Sequence, residues 1–109
     1  MPRGKYLAAI LMLAASTSSS VANDLDGLRD KYAFDWHFDP ARASCVKVGD
    51  RLLADFKSNR YRCDLKVKSN TNTGAGVRTC KKVGGRGEYL IFDTRKFCDE
   101  ERKAQADNE

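Results

Sequence analysis

The fold is set by residues 60–93, which read RYRCDLKVK (60–68), SNTNTGAG (69–76), VRTCKKV (77–83), GGRG (84–87) and EYLIFD (88–93). The first run alternates strictly between apolar and charged residues, as a strand with one covered face does. The two glycine-containing runs between the apolar segments are typical of turns. We therefore expect three consecutive antiparallel strands over 60–68, 77–83 and 88–93.

Helices are expected to cover this three-stranded meander. Three are predicted: a short helix over 23–32, a long helix over 40–57 and a charged helix from 94 to about 105. The long helix would start at Asp39-Pro40 and carry an apolar stripe at helical spacing, although Gly49 could break it. The predicted fold class is α+β: a small three-stranded antiparallel meander, covered by helices and held by two disulfides.

Four aromatic residues alternate with other residues just before the predicted long helix. They are Tyr32, Phe34, Trp36 and Phe38. A period of two is typical of an extended segment, and we expect these rings to form an apolar lid over the sheet. The alternative is that the segment 32–38, with Trp36 in it, is a recognition surface.

The first 22 residues have the pattern of a secretory signal peptide. Arg3 and Lys5 precede an apolar run over 7–15, and small residues follow up to Ala22. The apolar run is too short to span a bilayer, and the pattern predicts cleavage near Ala22. We expect residues 23–109 to be a single domain without a membrane span, secreted or located in the periplasm.

Four cysteines lie in the predicted domain: Cys45, Cys63, Cys80 and Cys98. An even number in an exported chain predicts two disulfides, for which three connectivities exist. In our preferred strand register Val67 lies opposite Val77, which puts Cys63 and Cys80 on opposite faces of the sheet. We therefore predict the local pairs Cys45–Cys63 and Cys80–Cys98. A register shifted by one residue would instead place Cys63 opposite Cys80.

Charge is distributed unevenly along the predicted domain. Residues 42–86 contain twelve basic and three acidic side chains, net +9, whereas the segments before and after them are each net −3. In the preferred register, five basic residues share the charged side of the first hairpin: Arg62, Lys66, Lys68, Arg78 and Lys82. Such a surface attracts an anionic polymer or an acidic protein. The alternative is a solvated face whose charges prevent sheets from pairing at their edges.

No catalytic motif, cofactor site or metal site is predicted. The chain has one histidine, His37, and no glycine-rich phosphate loop or nucleophile elbow. His37 and Glu88, with Arg62 and Arg78, supply the residue types of a small secreted ribonuclease. The layout of export signal, helices, meander and two cystines resembles small periplasmic inhibitor or immunity modules, which implies a protein partner. We expect a non-enzymatic binding module for a macromolecular or anionic partner, with a secreted hydrolase or toxin as the alternative.

Overall fold

The computed structural model describes residues 24–108, so the predicted signal peptide lies outside the described residues. Residues 24–26 are helical and a turn follows through Asp30, where a helix to about residue 32 was predicted. The remaining elements are β1 (Tyr32–Asp35), β2 (Val46–Lys47), α1 (Asp50–Lys57), β3 (Tyr61–Lys68), β4 (Val77–Lys82), β5 (Glu88–Phe92) and α2 (Arg95–Asp107).

The strands form one antiparallel sheet of five, in the order β2-β1-β5-β4-β3. The predicted α+β class is confirmed, and the predicted meander is β3-β4-β5. The meander is only part of the sheet, because β1 pairs with the free side of β5, with Tyr32 opposite Phe92 and Asp35 opposite Tyr89. The four-residue strand β1 is formed by the first half of the alternating aromatic segment, and it places β5 in the middle of the sheet.

Each face of the sheet carries its own apolar core. The core on the α1 side contains Leu28, Ala33, Val48, Leu53, Phe56, Cys80 and Ile91. The core on the α2 side contains Phe34, Cys45, Val77, Leu90, Phe92 and Cys98. Successive side chains of β5 enter alternate cores, which explains why its apolar run is buried on both faces. Tyr89, Ile91 and Cys80 face α1, so α2 does not cover them.

The predicted long helix over 40–57 is wrong in its first half. A turn follows Pro40, strand β2 occupies Val46–Lys47, and the helix starts only at Asp50 with Gly49 as its N-cap residue. The backbone of Val48 bonds to the segment before β1, donating to the Lys31 carbonyl at 2.8 Å and accepting from the Asp30 N–H at 2.9 Å. These bonds stabilise an extended backbone at Val48. Residues 41–48 are therefore not helical, although their apolar residues have helical spacing.

Helix α2 follows the prediction closely. The Thr94 hydroxyl oxygen accepts a hydrogen bond from the Phe97 N–H at 3.1 Å, as an N-cap residue does. Its buried residues are Cys98 and Glu101, and it packs mainly over β1 and β5. The β3–β4 part of the same sheet face is therefore left open.

The aromatic lid forms only in part. Phe34 is buried and Tyr32 is half-buried, but the strand ends at Asp35. A turn follows, which leaves Trp36 38% exposed and Phe38 60% exposed. The expectation that all four rings cover the core is therefore wrong for the last two.

The first hairpin contains a register shift. Asp64 lies opposite Thr79 and Lys68 opposite Val77, so four residue steps on β3 span two on β4. The predicted register lies between the two registers observed on either side of this bulge. Two hydrogen bonds serve backbone groups at the shift: Arg78 Nε donates to the Leu65 carbonyl at 3.2 Å, and Lys66 N–H donates to Asp64 Oδ1 at 3.0 Å.

The predicted disulfide connectivity is wrong, although two disulfides are present. Cys63 bonds Cys80, its direct neighbour across β3 and β4, with Cα atoms 3.9 Å apart. Cys45 bonds Cys98 with Cα atoms 6.1 Å apart, which joins the loop before β2 to α2. The local pairing assumed that Cys45 lies on a helix beside β3; in the structure Cys45 is buried on the other side of the sheet.

Candidate functional site

The open part of the α2-side face carries a groove rich in cations. The register pairs Arg62 with Lys81 and Asp64 with Thr79, so these four side chains share that face. A concave groove with a volume of about 1140 Å³ extends from these side chains to the turn between β4 and β5. We call it the basic groove; its charged lining residues are Arg62, Lys68, Lys81, Lys82, Arg86, Asp64 and Glu88. Five cations and two carboxylates give this lining a net charge of +3.

Most of the cations in the basic groove lack a carboxylate partner. Lys68 pairs with Asp64 at 3.0 Å. Arg62, Lys81, Lys82 and Arg86 form no ion pair with any residue in the range 24–108. Away from the groove, by contrast, eight of the thirteen cations in residues 24–108 have an ion-pair partner. The unneutralised charge in the groove therefore produces a local positive potential.

The Asp64 carboxylate lies in the groove, and its contacts lower its pKa. The hydrogen bond from Lys68 lowers the pKa of Asp64, and the Lys66 backbone N–H lowers it further. Asp64 thus stays ionised at neutral pH and orients Lys68, leaving the other four cations to face solvent.

The basic face predicted from the sequence is divided by the bulge. Arg62, Lys68 and Lys82 line the basic groove, but Lys66 does not. Arg78 lies opposite Ile91 on the α1 side and is half-buried. Its guanidinium is used at the bulge and in an ion pair with Asp93 at 3.4 Å.

Two cations of the groove, Lys81 and Arg86, were not predicted from the sequence. The predicted register differs from the observed one by one residue and places Lys81 on the other face of the sheet. Its position in the groove follows only from the bulge. Arg86 lies in the turn between β4 and β5, where Gly84 has a φ of 73°. A run of cations ending in a glycine turn, over residues 81–86, was the available signal.

A second depression, which we call the Trp36 pocket, adjoins the basic groove. It has a volume of about 370 Å³ and shares Lys68, Thr79 and Glu88 with the groove. Its other side is formed by the turn between β3 and β4 and by the end of α2, with Asn70, Asn72 and Gln105 in its lining. The groove and the pocket are therefore adjacent and share part of their lining.

The Trp36 side chain is held in place by its neighbours. Indole Nε1 donates to Glu88 Oε1 at 2.7 Å, and the His37 ring lies 3.9 Å away, centroid to centroid. Although it follows the end of β1, the indole is thereby fixed at the edge of the pocket with part of its surface open to solvent. This fixed, partly exposed ring is more typical of a contact residue than of a core residue.

The residue types proposed for a ribonuclease are not brought together in one depression. Arg62 and Glu88 line the basic groove, but His37 lines neither depression and Arg78 lies on the other face. One Glu88 oxygen is already bonded to Trp36. Within residues 24–108 no group of three or more His, Cys, Asp or Glu side chains is placed to hold a metal ion.

No protein-family model, curated protein or solved structure gives a significant match to the chain. None of the helices in the described part of the chain is long and apolar enough to cross a membrane.

Proposed function

We propose that the chain is a non-enzymatic binding module that recognises an anionic macromolecule through the basic groove. The observation that carries this proposal is the presence, on one open concave surface, of four cations without an ion-pair partner among residues 24–108. Placing like charges together costs free energy in the unbound protein, and an anionic partner removes that cost. The open shape suits an extended polymer better than a small molecule, which is usually enclosed.

We propose further that the module acts outside the cytoplasm, in the periplasm or after secretion. The signal-peptide pattern of residues 1–22 supports this location. The two disulfides support it independently, because disulfides persist mainly in oxidising compartments.

Binding of dextran sulfate to the full chain tests the groove, with uncharged dextran as the control polymer. The variant Arg62→Gln/Lys81→Gln removes two neighbouring groove cations and keeps a polar side chain at each position. The control Arg51→Gln/Lys103→Gln removes one Arg and one Lys from the exposed faces of α1 and α2, so the two variants have equal net charge.

We expect the groove variant to bind more weakly and its dependence of log K on log salt to be less steep by about two, because fewer counterions are released. The control variant should retain most of the affinity. Equal loss in both variants would mean that dextran sulfate responds to net charge only, and the proposal would fail. The cations would then have the edge-protecting role.

The hydrolase alternative is tested in parallel by incubating the chain with single-stranded RNA. We expect the RNA to remain intact, because the residues needed are not assembled. RNA cleavage that His37→Ala abolishes would replace the binding proposal with a ribonuclease.

A further inference from the structure

We infer that the anionic partner is an acidic polysaccharide, with a sugar ring packed on Trp36 and its carboxylates bound by the basic groove. This inference rests on the proposed function and adds the chemical class of the ligand. It is carried by two adjacent depressions that share lining residues but differ in the chemistry of the rest of their linings.

Five of the eleven residues that line the Trp36 pocket are uncharged and polar. Asn70, Asn72 and Gln105 supply amide groups, and Thr71 and Thr79 supply hydroxyls. An amide offers both donors and an acceptor, and a hydroxyl offers one donor and two lone pairs. A ligand matching such a lining carries many groups that donate and accept at once, as sugar hydroxyls do.

The indole of Trp36 provides the apolar part of this site. It is 38% exposed, and its bond to Glu88 keeps the ring at the junction of the two depressions. The C–H face of a pyranose ring is apolar, so packing it on the indole removes apolar area from water. A sugar ring placed there has the amides on one side and the cations on the other.

The carboxylates of the surface argue against a nucleic acid as the partner. Glu88 lies at the junction, and Asp64 lies between the cations of the groove. A nucleic acid carries a phosphate on every nucleotide, so some phosphates would meet these carboxylates and be repelled. A uronic-acid polymer carries hydroxyls as well as carboxylates, and these hydroxyls can donate to Glu88 and Asp64.

The experiment compares four polymers of similar length on the full chain: polygalacturonate, poly-L-glutamate, single-stranded poly-dT and uncharged dextran. Binding is followed by the fluorescence of Trp36, the one tryptophan of the chain, and by calorimetry. We expect polygalacturonate to bind about ten-fold more tightly than poly-L-glutamate at equal salt and to change the Trp36 emission. The variant Arg62→Gln/Lys81→Gln should bind both polygalacturonate and poly-L-glutamate more weakly than the parent chain does.

Two variants isolate the sugar contribution. Trp36→Ala and, separately, Asn70→Ala/Asn72→Ala should lower the affinity for polygalacturonate to the level of poly-L-glutamate and leave poly-L-glutamate unaffected. The asparagine variant keeps the backbone N–H of Asn72 that bonds to Glu101. It therefore carries the test if Trp36→Ala fails to fold.

The outcomes separate this inference from the proposed function. Equal binding of polygalacturonate and poly-L-glutamate, or tightest binding of poly-dT, would overturn the polysaccharide inference and leave the anion-binding function standing. Failure of every polyanion to bind would overturn both.

Discussion

Glu101 is a single residue that controls the position of a loop. It is 1% exposed and is the one buried charged side chain among residues 24–108. Its carboxylate accepts hydrogen bonds from the backbone N–H groups of Asn72 and Thr73, at 3.2 and 2.9 Å, and from Gln105 Nε2 at 2.9 Å. A buried carboxylate is tolerated only when it is bonded in this way. Glu101 therefore holds the β3–β4 turn against α2, where the turn forms one wall of the Trp36 pocket.

Replacement of Glu101 should consequently destabilise the fold. We expect Glu101→Ala to lower the free energy of unfolding by about 2–3 kcal/mol, because two backbone N–H groups lose a charged acceptor. Its neighbour Glu100 is exposed and paired only with Lys96 at 3.8 Å. Glu100→Ala should cost less than about 0.5 kcal/mol. Urea unfolding measures both values, and similar costs would show that the Glu101 bonds contribute little.

Asp93 makes stability depend on pH. The hydrogen bond from Lys31, at 2.8 Å, lowers the pKa of Asp93 in the folded protein, and the charges of Lys31 and Arg78 lower it further. In the unfolded chain this pKa returns to about 3.9. The contribution of Asp93 is therefore fully present above about pH 4 and is lost as the pH falls through the lower folded value.

We expect Asp93→Asn to be less stable than the parent at pH 7, with the difference disappearing in strong acid. The effect should be small, because the Asp93 side chain is 62% exposed. Unfolding free energies measured from pH 7 to pH 2 give the difference at each pH. Asp24→Asn, which removes an exposed carboxylate without an ion pair in the described range, serves as the control. A difference that does not change with pH would exclude this role of Asp93.

At the scale of the elements, sequence patterns predicted the strands and the helix whose formation depends on residues close in sequence. Strands β3, β4 and β5 follow from alternation and turn residues, and α2 follows from its capping residue Thr94. The pairing of β1 with β5 joins residues more than fifty positions apart, and no local pattern encodes it. The helical spacing of residues 41–48 was overridden for the same reason, because backbone bonds with residues 30–31 stabilise an extended form there.

The residues of the candidate site could be predicted only where the strand register could be predicted, because the register decides which side chains share a face. Alternation alone places Arg62 on the charged face of β3, and in the structure Arg62 lines the basic groove. The bulge moved Arg78 to the other face and brought Lys81 into the groove. The exposure of Trp36 depends on where β1 ends, and an alternation that continues to Phe38 does not reveal that end.

The two disulfides should differ in how much they stabilise the fold. Cys45–Cys98 connects residues 53 positions apart and Cys63–Cys80 residues 17 positions apart. In the chain-entropy model the longer loop is worth about 4 kcal/mol and the shorter about 3 kcal/mol. We expect Cys45→Ala/Cys98→Ala to lower stability more than Cys63→Ala/Cys80→Ala. Denaturant unfolding measures both costs, and the reverse order would contradict the entropic account.

The connectivity itself is tested by mass mapping of non-reduced peptides. We expect one peptide linking Cys45 to Cys98 and another linking Cys63 to Cys80. A link between Cys45 and Cys63 would contradict the placement of residues 40–45 on the α2 side of the sheet.

At the scale of the whole molecule, the sheet separates two cores, and the groove lies on the part of the sheet that α2 leaves uncovered. Helix α1 closes one face, while α2 covers only the β1–β5 half of the other. The side chain of Ile91 in β5 packs in one core, and those of Leu90 and Phe92 pack in the other. Loss of packing in either core should therefore also destabilise β5, which both cores share. Glu88 of this shared strand lines both the groove and the pocket, and Leu90 lines the pocket.

This coupling predicts that a defect in the α1-side core is detected by Trp36 on the opposite face. Phe56 is 2% exposed and its ring packs edge-on against Tyr61 and Tyr89, at 5.6 and 5.4 Å between centroids. Phe56→Ala should cost about 3–5 kcal/mol. We expect the unfolding transitions followed by Trp36 fluorescence and by far-UV circular dichroism to shift together, as for a single cooperative unit. The exposed Ala54→Ser on the same helix should shift neither by much. If Phe56→Ala moves the dichroism transition and leaves the Trp36 transition in place, the two cores unfold separately and the sheet does not couple them.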